Sequence, residues 1–519
     1  MLIHKPSNTI VLKLRDPHKV LSVIPKARTV EHNGTTLTQV NYGLEEVKVL
    51  NNMGIVAPSP IHHRYEWAGR FKPMAHQATT SAFFTLNPRA ICLNDMGTGK
   101  TLSVLWAADY LMNIGKMKKV LIIGPMSTMH SVWESEINTH FLFRRRCVVL
   151  HGDKQKRLKL LNDPDATFFI INHDGIKTIE KELQEAKFDA IVVDEAAAFR
   201  NATTNRYKAL ERLTDKAYWL WLLTGTPVPH APTDAWALGK LLKNPHAPKY
   251  FTHFKRTVMD QVTTYKWVPK PDAYAKAYSI LQPGVRYTKA ECIDLPPITF
   301  TLNECALTKE QKQYYKEMHK ELVMDVNGNQ ITAANAAVKL GKLLQICCGE
   351  VYDSNGASVA IDATPRMKAC NELIENASAK VIVFVPFTAA LDRLSAYLKK
   401  QGHSVAVVDG RTSATKRKKI FADFQESKDP RVLVAHPQTT AHGLTLTAAD
   451  NTIWYAPLFS LEIFEQANNR MSRPGQKNHM TVTMLHGCWL EREAYAALSR
   501  KAQMQESVLK LYKEEVKSN

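Results

Sequence analysis

Residues 94–101 carry the side chains in this chain that are best suited to chemistry, in the order Asn-Asp-Met-Gly-Thr-Gly-Lys-Thr. They follow a short apolar run, Ala90–Leu93, and precede a helical pattern that starts at Leu102. A glycine-bearing turn between a strand and a helix can bind phosphate, because backbone N–H groups and the helix N-terminus converge on one anion. We expect Lys100 to contact the β- and γ-phosphates of a nucleotide and the Thr101 hydroxyl to bind Mg²⁺.

Gly97, Thr98 and Gly99 complete this candidate phosphate loop. Asn94 occupies the position where the general motif has its first glycine, so Gly97 and Gly99 must supply the freedom of the backbone. The alternative is a Gly-Lys-Thr sequence that occurs by chance in a turn.

Two adjacent carboxylates, Asp194 and Glu195, follow a second apolar run, residues 190–193. One can hold Mg²⁺ while the other orients and deprotonates an attacking water, which is the division of labour that hydrolysis of a phosphate anhydride needs. Acidic residues at the start of a helix are the simpler explanation, since the helix dipole favours them there. Together with the phosphate loop, the pattern favours the catalytic interpretation.

Gln77 precedes the loop and starts an amphipathic segment. Its amide offers both a donor and an acceptor to an adenine edge, so we expect it to recognise the base of ATP. Thr224, Gly225 and Thr226 follow another apolar run. They suit a switch that senses the γ-phosphate, although a Gly-Thr-Pro turn explains them equally simply.

Arg470 and Arg473 lie in a polar stretch near the C-terminus, residues 466–476. They are three residues apart, so on a helix they would share one face. Guanidinium groups presented by a neighbouring domain can neutralise charge in the transition state of phosphoryl transfer. The alternative is an ordinary pair of surface arginines.

Strand-like runs that alternate with helical patterns are expected to position these residues. The runs fall into two sets, 120–123, 148–150, 168–171, 190–193 and 219–223, then 380–385, 404–408, 431–435, 452–456 and 480–484. Such alternation predicts an α/β protein with two parallel sheets, each covered by helices on both faces. Ligands then gather at the carboxyl ends of the strands, where the polar motifs fall.

Outside the two sets of runs, strand-like and helical patterns no longer alternate regularly. We expect five regions: an N-terminal accessory α+β module at 1–70, a first lobe at 71–235, a mostly helical insertion at 236–365, a second lobe at 366–500 and a C-terminal brace helix at 501–519. The module at 1–70 shows no catalytic pattern, so an accessory nucleic-acid contact and a packing lid remain equal alternatives for it.

Composition places the chain among soluble globular proteins, with 519 residues of which 45% are hydrophobic and 23% charged. No apolar run approaches the ~20 residues that span a bilayer, and the N-terminus lacks the apolar core of a signal peptide. We therefore expect a cytoplasmic protein, in a bacterium or a phage-infected host, or a nuclear one in a eukaryote. The eight cysteines lack the spacing of a zinc site, since Cys347 and Cys348 are adjacent, so free buried thiols are expected.

The net charge of +19 favours a polyanionic partner, and nucleic acid is the leading candidate. Basic clusters are spread through the chain, at 116–119, 144–146, 154–159 and 416–419. Each cluster alone could be only a solvated face.

Five motifs in this order, DMGTGKT, DEAA, LTGTP, GLTLTAAD and QANNRMSRPGQ, resemble those of superfamily 2 helicases and, within them, the Swi/Snf-type ATPases. Two further stretches, 285–297 and 342–349, are similar to segments between the two lobes of that family. The resemblance covers residues 71–500 and implies two RecA-like parallel-sheet lobes joined by a mostly helical insertion. The chain looks like a compact, stand-alone member of that family, similar to those of phages and bacteria or to the annealing helicases.

The resemblance also implies an activity, which is ATP-driven translocation along double-stranded DNA with Mg²⁺ as cofactor. By motif position it assigns adenine to Gln77, the phosphates and Mg²⁺ to Lys100 and Thr101, the metal and the water to Asp194 and Glu195, and the arginine fingers to Arg470 and Arg473. A monomer that works beside replication or recombination proteins is expected.

The sequence departs from the family pattern at two positions. Ala197 stands where the second motif usually ends in histidine, and Thr445 replaces the usual asparagine of the fifth motif. Neither change removes a group that would touch ATP. Two other functions remain open: a helicase that acts on RNA or single strands with true strand separation, and a nucleic-acid-binding scaffold that does not hydrolyse ATP.

Overall fold

The computed structural model describes residues 1–32, 34–228, 231–264, 266–292, 294–328, 333–352, 358–440 and 445–500. The chain divides after Cys292 into two compact units. The C-terminal brace helix predicted at 501–519 lies outside the described residues, as do positions 442–444 of the fifth motif.

A small α+β module opens the first unit, as the sequence predicts. Its four strands form an antiparallel sheet of order β1-β2-β4-β3. Alternate strand residues such as Ile10, Leu12 and Val40 pack on Val47 and Leu50 of a helix. The elements are β1 Leu2–His4, β2 Thr9–Leu12, α1 His18–Val23, β3 Arg28–His32, β4 Thr35–Asn41, α2 Leu44–Asn52 and α3 Ile61–Arg64.

The first lobe is a seven-stranded parallel sheet of order β13-β5-β10-β9-β6-β8-β7. Its elements are α4 Ala75–Leu86, β5 Arg89–Cys92, α5 Lys100–Asn113, β6 Val120–Gly124, α6 Met126–Thr128, α7 Ser135–Phe141, β7 Arg146–Val149, α8 Lys154–Leu161, β8 Ala166–Asn172, α9 Glu180–Glu185, β9 Ala190–Val193, α10 Asn205–Thr214, β10 Trp219–Leu223, α11 Ala235–Leu241, α12 Phe251–Val258, β11 Met259–Gln261, β12 Trp267–Pro269, α13 Ala273–Ile280, β13 Gly284–Val285 and α14 Lys289–Cys292.

Both faces of this sheet are buried, which explains why its strands are mainly apolar. Leu121 and Ile123 of β6 join one core cluster, whereas Val120 and Ile122 join the cluster on the opposite face. Successive strand residues point to opposite faces, so helices must cover both. All five strands predicted for this lobe are present.

The stretch predicted as a mostly helical insertion also contains strands. Helices α11, α12 and α13 add Trp236, Phe254 and Ile280 to one core cluster of the first lobe. The chain then returns to the sheet through β13, which pairs with β5 over only two residues. A two-residue strand is too short to show a periodic pattern, so the sequence could not reveal it.

The second unit holds a six-stranded parallel sheet of order β14-β21-β20-β17-β19-β18. Its elements are β14 Ile298–Glu304, α15 Lys309–Gly328, α16 Ala333–Cys347, β15 Glu350–Tyr352, β16 Ser358–Ala360, α17 Thr364–Glu375, β17 Lys380–Phe384, α18 Thr388–Lys400, β18 Val405–Val408, α19 Ala414–Glu426, β19 Val432–Ala435, α20 Pro437–Thr440, β20 Ala449–Trp454, α21 Leu461–Asn468 and β21 Met480–His486. A helix also covers residues 489–500.

The five strands predicted for this lobe are present, and β14 is a sixth that the sequence pattern did not indicate. It forms an edge and leaves most of its residues exposed, as its Phe300 and Leu302 illustrate. Within the described residues, no helix has both the length and the apolar character needed to cross a membrane.

Candidate active site

Three strands that are neighbours in the first sheet, β5, β10 and β9, end at one edge. The phosphate loop follows β5, the Thr224–Thr226 turn follows β10 and Asp194 follows β9. Parallel strands bring their carboxyl ends together, so residues far apart in the chain meet there. A Cβ atom built on Gly225 would lie 3.7 Å from the backbone oxygen of Asn94, which places the turn against the loop.

The phosphate loop requires left-handed backbone at two positions. Gly97 has φ 83° and Gly99, directly before α5, has φ 79°. A Cβ atom on Gly99 would also collide with the Gln77 amide. Only glycine meets both conditions, because an L side chain strains this conformation and would need space that the amide fills.

Lys100 begins α5 and folds back over the loop. Its Nζ donates hydrogen bonds to the backbone oxygens of Asn94, at 2.8 Å, and Asp95, at 3.1 Å. The buried Thr98 hydroxyl donates to the same Asp95 oxygen at 2.8 Å. The ammonium group therefore lies inside the ring of backbone that a phosphate group would face.

Gln77 is buried and uses both ends of its amide within the protein. Its Oε1 accepts from the backbone N–H of Met74 at 3.0 Å, and its Nε2 donates to the backbone oxygen of Thr98 at 3.1 Å. His76 donates to the same Thr98 oxygen from Nε2 at 2.8 Å. The start of α4 is thus tied to the loop, and the predicted adenine contact of Gln77 stays a prediction.

A second anchor for the loop comes from residues 286–289, which follow β13. Asn94 accepts from the backbone N–H of Tyr287 at 2.8 Å, and its own amide donates to Thr80 at 3.0 Å. Asp95 pairs with Arg286 at 2.6 Å and accepts from the backbone N–H of Lys289 at 2.8 Å. The Asn94 side chain therefore makes two hydrogen bonds that the usual glycine could not make.

The sequence pattern did not predict this anchor, although the segment that supplies it lies within the stretch 285–297. Arg286 has a side chain only 6% exposed, and it also donates to the backbone oxygen of Leu93. The Arg-Tyr-Thr-Lys sequence after an isolated Gly-Val pair was the available signal, but nothing local connects it to residues almost two hundred positions earlier.

Asp194 is held in place from three directions. Its Oδ2 accepts from the indole N–H of Trp133 at 2.9 Å and its Oδ1 from the backbone N–H of Glu195 at 3.0 Å. Its backbone oxygen accepts from Nε2 of His173 at 2.8 Å. Burial raises the pKa of Asp194, while the Trp133 bond and the positive charge of Lys100 oppose that rise. The two motifs therefore interact electrostatically at the same edge.

Glu195 has left-handed backbone, with φ 49° and ψ 52°. A non-glycine residue in this conformation stores strain, which surrounding structure must offset. Because β9 ends at Val193, both carboxylates belong to the turn that follows the strand. Buried hydroxyls at Thr224 and Thr226 complete the edge, and the Thr226 N–H donates to Thr224 at 3.1 Å.

The two arginines lie in the second unit, after the end of α21 and not within a helix. They therefore do not share a helical face. Arg470 is 3% exposed, which rules out the alternative of two surface arginines. Arg473 is half-buried and donates to the Thr445 hydroxyl at 3.4 Å, and burial lowers its pKa to about 10.

The residues at this edge of the first lobe fit a nucleoside triphosphate with a divalent cation. A loop with two left-handed glycines, the N-terminus of α5 and Lys100 suit the phosphates. A hydroxyl at Thr101 and a carboxylate at Asp194 are oxygen ligands of the kind that Mg²⁺ prefers. The collision that any Cβ on Gly99 would make shows how closely the backbone of this loop is packed.

Comparisons with known proteins identify the family of the chain. Residues 55–351 match the model of the SNF2-related domain, and residues 365–475 match that of the helicase conserved C-terminal domain. The chain is similar to an uncharacterized ATP-dependent helicase of Mycoplasma genitalium, with 25% identity over 76% of this chain and 37% of that protein. Putative protein p41 of Acyrthosiphon pisum secondary endosymbiont phage 1 is 24% identical over 75% of this chain and 87% of its own length.

A eukaryotic relative is the ISWI chromatin-remodeling complex ATPase of Saccharomyces cerevisiae, with 26% identity over 76% of this chain and 36% of that protein. Among solved structures, the Sulfolobus solfataricus SWI2/SNF2 ATPase core in complex with dsDNA aligns with 86% of this chain and 96% of its own, at 23% identity and a TM-score of 0.42. The chain thus spans little more than a third of the length of the Mycoplasma and yeast relatives. Because the SNF2-related model covers more than half of the 519 residues, the chain belongs to the SNF2-related family of superfamily 2 helicases.

Proposed function

We propose that this protein is a motor that couples ATP hydrolysis to movement along double-stranded DNA. The observation that carries the proposal is the meeting of Lys100 and Asp194 at one sheet edge, where the ammonium charge acts on the carboxylate. The net charge of +19 supports a polyanionic track. Contacts to such a track would be mainly to phosphates, and so tolerant of sequence.

In this proposal each residue of the first lobe has a distinct task. Lys100 and the loop N–H groups bind the phosphates, while Thr101 and Asp194 hold Mg²⁺, which would neutralise charge on the phosphate oxygens. Trp133 and the Glu195 N–H fix the orientation of Asp194. Glu195 then accepts the proton of the attacking water.

The remaining assignments are part of the same proposal. Gln77 would recognise adenine by exchanging one of its internal hydrogen bonds for the base. Arg470 and Arg473 would neutralise charge on the transferring phosphate, a task for which a permanently charged guanidinium is suited. Binding and release of that phosphate would change the relation of the two lobes once in each cycle.

The first test removes the two central groups of the phosphate site. Lys100→Ala and Glu195→Gln are both expected to lower the DNA-stimulated rate of phosphate release by a factor of at least ~10², because each removes charge stabilisation or the base. DNA binding, measured by fluorescence anisotropy, should change little. Full turnover in both variants would reject the assignment. A variant that loses both DNA binding and turnover would have a folding defect.

The second test identifies the track. Phosphate release by the intact protein is measured with duplex DNA, single-stranded DNA and RNA of one sequence, together with displacement of a third strand from a triplex. Duplex DNA is expected to give the strongest stimulation and to support displacement. A preference for RNA or for single strands would replace the proposal with that of a strand-separating helicase.

A further inference from the structure

Two cysteines that are 141 residues apart in sequence meet in the second unit. Cys347 is the last residue of α16, and Cys488 lies between β21 and the helix at 489–500. Their sulfur atoms are 3.5 Å apart. Cys347 is fully buried whereas Cys488 is half-buried, so Cys488 is the more accessible of the two residues.

A buried ion pair lies beside these sulfurs. Oε2 of Glu491 accepts from Arg366 at 2.5 Å and from the backbone N–H of Gly487 at 2.6 Å. The Cys488 sulfur is 3.9 Å from the same oxygen. Since that carboxylate oxygen already has two strong donors, the Glu491 side chain is held rigidly against the turn that carries Cys488.

The surroundings shift the pKa values of the two thiols in opposite directions. A hydrogen bond from the Cys347 thiol lowers the pKa of Cys488 to about 7, and the Tyr315 hydroxyl acts in the same direction against burial and the Glu491 charge. The same contact, together with burial, raises the pKa of Cys347. At neutral pH the more exposed sulfur is therefore partly a thiolate, which is the reactive form.

We propose that Cys488 and Cys347 are an oxidant-sensitive thiol pair that hydrogen peroxide converts to a disulfide. A half-exposed cysteine next to a buried second cysteine is the arrangement in which a first oxidised sulfur is resolved by its neighbour. The sulfurs lie 3.5 Å apart and must approach to about 2 Å for the S–S bond to form.

The chemistry balances with peroxide as the only oxidant. The Cys488 thiolate attacks one peroxide oxygen, the O–O bond breaks, and a sulfenic acid and hydroxide form. Cys347 then attacks the Cys488 sulfur, so that an S–S bond replaces the S–O bond and the proton of the Cys347 thiol leaves with the hydroxyl group as water. Two sulfurs have lost two electrons in total, and peroxide has become water and hydroxide.

A metal ion is the other occupant that this cluster suggests, because ligand atoms of Cys347, Cys488 and Glu491 lie within 4.8 Å of one another. The carboxylate is already paired with Arg366, which is itself buried, and this favours thiol chemistry over coordination. Metal content is therefore measured in the same experiment.

The experiment uses the full chain, reduced and freed of reductant, with a small excess of hydrogen peroxide, followed by alkylation of free thiols and peptide mass spectrometry. The expected result is a peptide that links Cys347 to Cys488. Cys147 and Cys292 are the matched controls, because both are half-buried but burial raises the pKa of each to about 11. Cys488 should react with iodoacetamide at pH 7 at least ~10-fold faster than either.

Cys347→Ser should leave Cys488 reactive and trap it as a sulfenic acid, which a dimedone probe detects, while the ATPase rate of the reduced variant stays unchanged. A link between other cysteines, or equal reactivity of Cys488 and Cys147, would overturn the proposal. One equivalent of bound zinc in the purified protein, lost in Cys488→Ser, would replace it with a metal site.

Discussion

At the scale of single residues, the phosphate loop depends on backbone that only glycine adopts without strain. Gly99 combines left-handed φ with a neighbour, the Gln77 amide, that excludes a side chain. Gly115 has a similar φ of 71° but open space around it. The two positions therefore separate the cost of the backbone from the cost of the collision.

Gly99→Ala and Gly115→Ala are expected to behave differently. Each costs about 1 kcal/mol of stability for a side chain in left-handed backbone, but only Gly99→Ala should displace Gln77 and reduce ATP hydrolysis strongly. Thermal unfolding and phosphate release of both variants provide the measurement. Equal activities would show that the contact between loop and α4 is unimportant for hydrolysis.

His173 makes stability depend on pH. Burial lowers its pKa to about 4, and its ring N–H donates to the backbone oxygen of Asp194. The unfolded chain binds this proton near its ordinary pKa of ~6.5, so stability is fully present above that pH and is lost as pH falls toward 4. By pH 5 the loss from this group is roughly 2 kcal/mol.

Urea unfolding at pH 7.5 and pH 5 tests this for the wild-type protein and for His173→Gln. The variant has no group that titrates here, so the wild type should lose about 2 kcal/mol more than the variant between these pH values. Equal losses in both proteins would show that His173 titrates normally.

At the scale of elements, β13 and the segment after it support the loop. Arg286 reaches Asp95 with its side chain 6% exposed, whereas Arg212 reaches Glu180 with two hydrogen bonds from a side chain 56% exposed. A buried ion pair loses more than an exposed one when one partner is removed, because the remaining charge stays away from water.

Arg286→Ala should therefore raise the KM for ATP and lower stability by about 1–3 kcal/mol, since Asp95 is left partly buried. Arg212→Ala, the matched control on the surface, should change stability by about 0–1 kcal/mol and leave KM unchanged. Steady-state ATPase kinetics and denaturation of both variants decide the matter. A normal KM for ATP in Arg286→Ala would show that β13 and the segment after it do not support ATP binding.

At the scale of the whole molecule, the basic charge predicts strong dependence on salt. If about six phosphates are contacted, affinity for duplex DNA should fall by about 10³-fold between 50 mM and 200 mM salt. Anisotropy titrations with two unrelated duplex sequences measure both the slope and the tolerance of sequence. A flat response to salt, or a large preference for one sequence, would contradict phosphate-based binding.

Much of the fold could be predicted from local sequence patterns. Apolar runs predicted ten strands of the two parallel sheets, because a strand buried on both faces is mainly apolar. The polar motifs that follow apolar runs placed the phosphate loop after β5 and Asp194 and Glu195 after β9. These features are local, and a local pattern is visible without coordinates.

Contacts between distant segments could not be predicted in this way and are visible only in the folded chain. Asn94 and Tyr287 are 193 residues apart, and the cysteines at 347 and 488 are separated by 141 residues. The two-residue β13 and the amide of Gln77 bonded to Thr98 likewise carry no periodic signal. Such contacts form when the folded chain brings distant segments of one unit together. The free energy that selects them comes from the packing of the whole unit and not from any one stretch of sequence.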